Sequence, residues 1–201
     1  VKREHTAHRF DHCLELEVRA ARIQAFGASL IPGLPQTKAY MRELFLRADP
    51  GRTPQEIDGL VAARLGRQEI LRRDCPPDFW WILGEATLRQ AVGGPAVMRE
   101  QLTSLLPLVY GRHTTIQVAP FQLGACALMN GTLIMLTLPD NSTTVYHEGP
   151  WNGEIYDDQE TVRRCMREYD RMKACALSPH EPAALIEAAM ETYEPCESPG
   201  T

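Results

Sequence analysis

Three side chains with usable chemistry stand in a row at Tyr146, His147 and Glu148, ending a short segment rich in Thr and Val. On an extended strand successive side chains alternate between faces, so Tyr146 and Glu148 share one side and His147 points to the other. A phenol and a carboxylate on one face can orient a substrate and take its proton, whereas His147 and Glu148 act together only if the strand bends. Glu85 follows the aromatic run at 79–83. An apolar setting raises a carboxyl pKa and makes such a residue a proton donor. Glu85, Tyr146 and Glu148 therefore form the candidate catalytic group. The plainer alternatives are a core face backed by a solvent face for the strand, and an exposed strand end or an arginine partner for Glu85.

A second set suits binding. Arg64, Arg67 and Gln68 lie in one helical segment and Arg99 and Gln101 in another. Arginine and glutamine offer fixed donors for a carboxylate, phosphate or amide group, and His147 is counted with them as a ligand contact. Residues at these intervals also serve as solvated helix faces or pair with neighbours. His5, His8, His12 and Cys13 are spaced so that a helix would bring the histidines within reach of one metal ion. Histidines of an end segment are more often solvated, and no metal is assigned. Cys126, near Gly124, is neither beside a histidine nor at a helix start, which gives a catalytic thiol weak support.

Composition narrows the classes. A chain of 201 residues is long enough to bury roughly 70% of its unfolded surface in one core. The hydrophobic and charged fractions, 44% and 23%, are those of a globular domain rather than a disordered one. A net charge of -5 argues against a broad phosphate-binding surface, so no direct nucleic-acid binding by this chain is expected. No apolar run approaches the roughly 20 residues that cross a bilayer, and the basic start is followed by no apolar segment, so neither a membrane span nor a secretory signal is read. The six cysteines are widely spaced and form no CxxC pair, which favours free thiols in a reducing, cytoplasmic compartment. GxGxxG, GK[ST], HExxH and GxSxG motifs are missing, and no cofactor is assigned.

The elements that would position these groups follow from pattern. Leu14, Leu16 and Val18 alternate with charged residues, yet 10–25 also reads at helical period, and the pattern leaves both open. Pro32-Gly33 marks a turn, and Thr37 caps a helix carrying Tyr40, Met41, Leu44 and Phe45 on one face. Thr53-Pro54-Gln55-Glu56 is a capping box opening a helix with Ile57, Leu60, Val61, Leu65 and Leu71 on one side. A buried strand is expected at 79–83, and after Gly93-Gly94-Pro95 a helix with Val97, Leu102, Leu105 and Val109 inward. Strands are expected at 114–118, 131–138 and 143–147, the last two joined as a hairpin through the turn at 139–142. A helix from about 158 to 176 would turn Val162, Cys165, Met166, Tyr169 and Met172 inward, and Ser178-Pro179-His180-Glu181 caps a last short helix. Irregular alternation of strands and helices predicts an α+β fold, a mixed, largely antiparallel sheet packed with several amphipathic helices. The expected division is a tail or linker remnant at 1–13, one domain at 14–193 and a flexible tail at 194–201.

The landmarks LELEVRAAR (14–22), IPGLPQTKAY (31–40), VAARLGRQEIL (61–71), LGEATL (83–88), GGPAVMREQL (93–102), IQVAPF (116–121) and VYHE (145–148) come in an order and with gaps that resemble one family. It is the large C-terminal domain of unknown function that actinobacterial helix-turn-helix regulators carry behind a DNA-binding domain of the lambda-repressor type. The resemblance covers about 14–179 and implies a module that senses a signal or engages a small partner protein, in regulators of development and specialised metabolism, antibiotic biosynthesis included. It transfers no catalytic residues. Its recurrent polar positions match Gln36, Arg64, Arg67, Gln68, Glu85, Arg99, Gln101 and Glu148, which adds Gln36 to the ligand-binding candidates. The family usually has leucine where Pro35 stands. The thirteen residues before Leu14 are too few for a DNA-binding head, so the expectation is a fragment or a stand-alone member. The functional reading is a ligand-sensing or partner-binding module. The alternatives are a stand-alone enzyme using acid/base chemistry on a small specialised metabolite, and an antitoxin-like interaction domain. A homo-oligomer is compatible with each.

Overall fold

The computed structural model describes residues 2–125, 128–149, 153–178 and 181–193, with side chains from Phe10 onward. The first element is a helix, α1 (Lys2–Arg19), so the segment at 10–25, left open between strand and helix, is helical through Arg19 and includes the alternating Leu14, Leu16 and Val18. Its buried positions are Cys13, Leu16 and Glu17, with Ala20 just beyond, the i, i+3, i+4, i+7 stripe of one helical face. The strand lies after it, as β1 (Arg22–Gly27), buried at every position but the first. A strand covered on both faces shows no polar alternation, which is why RIQAFG carried no signal.

Helix α2 (Lys38–Ala48) starts at Thr37, whose side chain accepts the Tyr40 N–H at 3.3 Å. Helix α3 (Pro54–Arg67) begins with the expected capping box: Thr53 N–H donates to Glu56 at 2.8 Å and Glu56 N–H to the Thr53 hydroxyl at 3.3 Å. Met41 from α2 packs with Ile57 and Val61 of α3. A 3-10 turn (Gln68–Arg72) leads to β2 (Asp78–Gly84), then to the short α4 (Ala86–Arg89) and to α5 (Pro95–Val109), which buries Met98, Gln101, Leu102 and Leu105. Strand β3 (Thr114–Ala119) follows, then the hairpin of β4 (Thr132–Thr137) and β5 (Thr143–Glu148), and β6 (Gly153–Tyr156), a four-residue strand that the sequence pattern does not reveal. Helix α6 (Gln159–Cys175), capped by Asp158, buries Val162, Tyr169 and Met172. Met166, expected inward, is 38% exposed because it sits at the edge of that stripe. Ser178 N–H donates to Glu181 at 2.8 Å ahead of α7 (Pro182–Glu191); Pro179 and His180 of that expected capping box lie outside the described residues.

The fold is α+β, as expected. Among the described residues six strands form one mixed sheet in the order β3-β2-β1-β4-β5-β6. The β1–β2 and β2–β3 pairs are parallel, and the β1–β4, β4–β5 and β5–β6 pairs antiparallel. The parallel pairs require crossovers, which α2 with α3 and α4 with α5 supply. One face packs Ile23, Trp81, Leu83, Val118, Ile134 and Tyr146 against α1, α2, α5 and α7. The other packs Phe26, Ile82, Met135 and Val145 against α6. Where β1 changes from a parallel neighbour to an antiparallel one, its carboxyl end opens into a crevice, the place where such sheets commonly seat ligands.

Candidate functional site

The loop at 31–37 between β1 and α2 builds one wall of that crevice. Its two prolines have no N–H, and its carbonyls pair with no strand, so side-chain amides do the work. Gln36 donates to the Ile31 carbonyl at 2.6 Å. Gln68 donates to the Leu34 and Gln36 carbonyls at 2.7 and 2.6 Å. Gln101, fully buried in α5, donates to the Pro35 carbonyl at 2.8 Å and accepts the Thr37 N–H at 2.7 Å. Three amides from three parts of the chain thus fix the loop in place.

Behind the loop lies a cavity of about 510 Å³, bounded by Phe10 of α1, Gln36 of the loop, Phe45 of α2, Arg64 and Arg67 of α3, and Glu148 at the end of β5. The two arginines sit one turn apart and face the same way. Arg67 forks onto Glu17 of α1, with Nε at 3.0 Å and NH2 at 2.9 Å from the two carboxylate oxygens. Burial pulls the Arg67 pKa down, but the bonds and charge of Glu17 more than offset this and hold it above the ordinary value. Arg64 donates NH1 to the Gln36 side-chain oxygen at 2.6 Å and lies over the Phe45 ring at 4.5 Å. Burial, with the like charge of Arg67 adding to it, lowers its pKa to about 10. Gly131, with φ of 135°, lets β4 pass close under the end of β5: a Cβ there would overlap the Glu148 carbonyl.

Of the expected site residues, Gln36, Arg64, Arg67 and Glu148 meet at this cavity. Glu148 is exposed at its rim. Tyr146 shares the Glu148 face of β5 but is 2% exposed and packs on Phe10 with ring centroids 5.8 Å apart. Burial, reinforced by the negative charge of Glu148, pushes its phenol pKa up. Gln68 and Gln101 stand behind the wall as supports. His147 points away, opposite Glu154 of β6. Arg99 borders a separate surface hollow with Pro95, Thr103 and Tyr193. Glu85 is not beside Tyr146 or Glu148. It edges an apolar cleft of about 160 Å³ with Phe26, Ala119, Phe121 and Met172. There it accepts the Phe121 N–H at 3.0 Å and pairs with Arg89 at 3.3 Å, the arginine-partner alternative.

Cys13 is 1% exposed, and burial, with Glu17 nearby, raises its thiol pKa to about 12. His12 faces solvent and pairs with Glu15 at 3.6 Å. Among the described residues no three His, Cys, Asp or Glu side chains gather as metal ligands; the side chains of His5 and His8, and Cys126, lie outside them.

Sequence reasoning missed Glu17 and Phe10. The signal for Glu17 was present: at helical period it falls inside the stripe of Cys13, Leu16 and Ala20, and a carboxylate in a buried stripe needs a cation.

Among the described residues no helix is long and apolar enough to cross a membrane. No curated protein and no solved structure matches the chain significantly. A family match extends over residues 10–188, to a domain of unknown function (DUF5753) that occurs C-terminal to helix-turn-helix regulators of actinobacteria. Because that match runs from Phe10 through the pinned loop, both cavity arginines and the whole sheet, the chain belongs to the DUF5753 family.

Proposed function

We propose that this domain is a ligand-sensing module whose small molecule occupies the cavity at the carboxyl end of β1. The observation that carries the reading is the cavity itself: about 510 Å³, within the roughly 300–1,000 Å³ of small-molecule sites, largely apolar with a few convergent polar groups. Its rigid wall is the pinned loop, and its other wall is α1, reached through Phe10 and the Glu17–Arg67 pair. In family members with a DNA-binding domain ahead of this one, α1 is the element through which occupancy would be felt. The domain at 14–193 acts as one unit in this proposal, in the cytoplasm, at the service of a regulator of specialised metabolism or development.

The test is native mass spectrometry of the purified chain mixed with an actinobacterial metabolite extract. A compound retained and released unchanged supports the sensor. A compound released chemically altered supports the enzyme reading, which rests on Tyr146 and Glu148 now that Glu85 lies in another cleft. Nothing retained overturns the sensor in favour of a small partner protein.

A further inference from the structure

The two arginines of the cavity are paired unequally. Arg67 is matched by Glu17, whose side chain is 3% exposed. Arg64, one turn earlier, has no carboxylate within ion-pair distance among the described residues. Its partners are neutral: the Gln36 amide oxygen at 2.6 Å and the Phe45 ring. One guanidinium carries five N–H donors, and beyond the bond to Gln36 the fork has no protein acceptor among the described residues. A guanidinium whose pKa is lowered only to about 10 is still a cation at neutral pH, and a half-buried cation whose direct partners are neutral gains from an anionic one. Arg64 is among the residues that line the cavity.

The rest of the lining narrows what would fill that space. Phe10, Leu44, Phe45 and Ile134 make it apolar, so a bare inorganic ion would leave most of it unfilled. Glu148 stands exposed at the rim, also without an ion pair among the described residues, and its charge reaches Arg64 and Arg67, partly opposing the effect of burial on each. A ligand bringing two negative charges would be repelled there, whereas a single carboxylate can fork onto Arg64 and leave Glu148 in water.

We propose that the cavity takes a small organic monocarboxylate, its carboxylate on the free edge of the Arg64 guanidinium and its apolar body along Phe10, Leu44 and Phe45. Glu148 acts as the filter against dianions. This rests on the sensor reading of the same cavity and gives it a ligand class.

The test is isothermal titration of the full chain with phenylacetate and hexanoate, with the matching amides, and with phenyl phosphate. At least one carboxylate should bind, its amide about tenfold or more weaker, the loss expected when a charge-assisted bond is removed; phenyl phosphate should bind more weakly than the acid. Arg64→Met should weaken the acid about tenfold or more with the circular dichroism spectrum retained, and Arg64→Lys should restore part of the loss. Glu148→Gln should keep the acid and admit phenyl phosphate. Amides binding as well as acids, an affinity indifferent to Arg64→Met, or no carboxylate binding at all overturns the proposal. The comparison of acid with amide on the native chain decides the matter even if Arg64→Met does not fold. A neutral compound retained from the metabolite extract overturns the ligand class and leaves the sensor standing, so the two failures are told apart.

Discussion

Arg67 of α3 and Glu17 of α1 meet in a two-bond fork, at 3.0 and 2.9 Å, with Glu17 3% and Arg67 15% exposed. The pair ties the first helix to the floor of the cavity. Removing the carboxylate alone strands a guanidinium in a nearly dry place. Glu17→Ala should therefore lower the unfolding free energy by about 3 kcal/mol or more, read from urea unfolding. The double change Glu17→Ala with Arg67→Met should cost less than the sum of the two single changes, because the stranded charge goes with its partner.

Gln101 predicts a larger effect than its distance from the cavity suggests. Gln101→Leu keeps the volume but leaves the Thr37 N–H and Pro35 carbonyl without their partner. One buried and one half-buried backbone group losing their bonds should cost about 2–4 kcal/mol, and the loop should become more accessible to proteolysis near residue 35. An unchanged cleavage pattern would show that the loop is held by something else.

The thiols should divide sharply. Cys75 and Cys175 are exposed and Cys13 is buried, so a thiol reagent at pH 8, followed by peptide mass spectrometry, should label the first two quickly and Cys13 only on unfolding.

Alkaline stability follows from the same burial. Cys13 and Tyr40 both have folded pKa values raised to about 12, chiefly by burial, above those of the unfolded chain. Their contribution is complete below the unfolded pKa values and is lost as pH climbs through the folded ones. The urea midpoint should therefore fall between about pH 9 and pH 12. The fall should be smaller in Cys13→Ala than in the parent chain.

Gly131→Ala tests the rim. With φ of 135° and the Glu148 carbonyl in the way of a Cβ, the substitution should destabilise by about 1–3 kcal/mol. It should also displace the end of β5, and phenylacetate titration would register the change.

Much of this was legible in the residues. The capping box at Thr53 and Glu56, the Thr37 cap, the aromatic strand and the β4–β5 hairpin each have local chemistry that forces the structure, and each stands where it was read. Strand β1 was hidden because both of its faces are covered, while the alternation of Leu14, Leu16 and Val18 imitated a strand inside a helix; Val18, outside the buried stripe, is 56% exposed. Of the residues at the cavity, residue type picked out Arg64, Arg67 and Glu148 and the family resemblance added Gln36, but neither told which glutamines line the cavity and which stand behind its wall. Gln68 and Gln101 spend their amides on backbone. Glu85 was drawn in by its apolar approach, yet the carboxyl end of β2 opens onto a different cleft. That separation depends on strand order, which no local pattern encodes.

The backbone of the loop at 31–36 is bonded by side chains, from Gln36 itself, Tyr40 of α2, the turn after α3, and α5. Strand pairing elsewhere is independent of those amides, so the sheet and the loop can be altered separately. Pro35 lies in this loop and in none of the strand registers. The architecture is in this sense modular at the scale of seven residues: a designer, or a duplicated gene, can recut the shape of the recess by rewriting one short stretch while the frame that carries it stays the same.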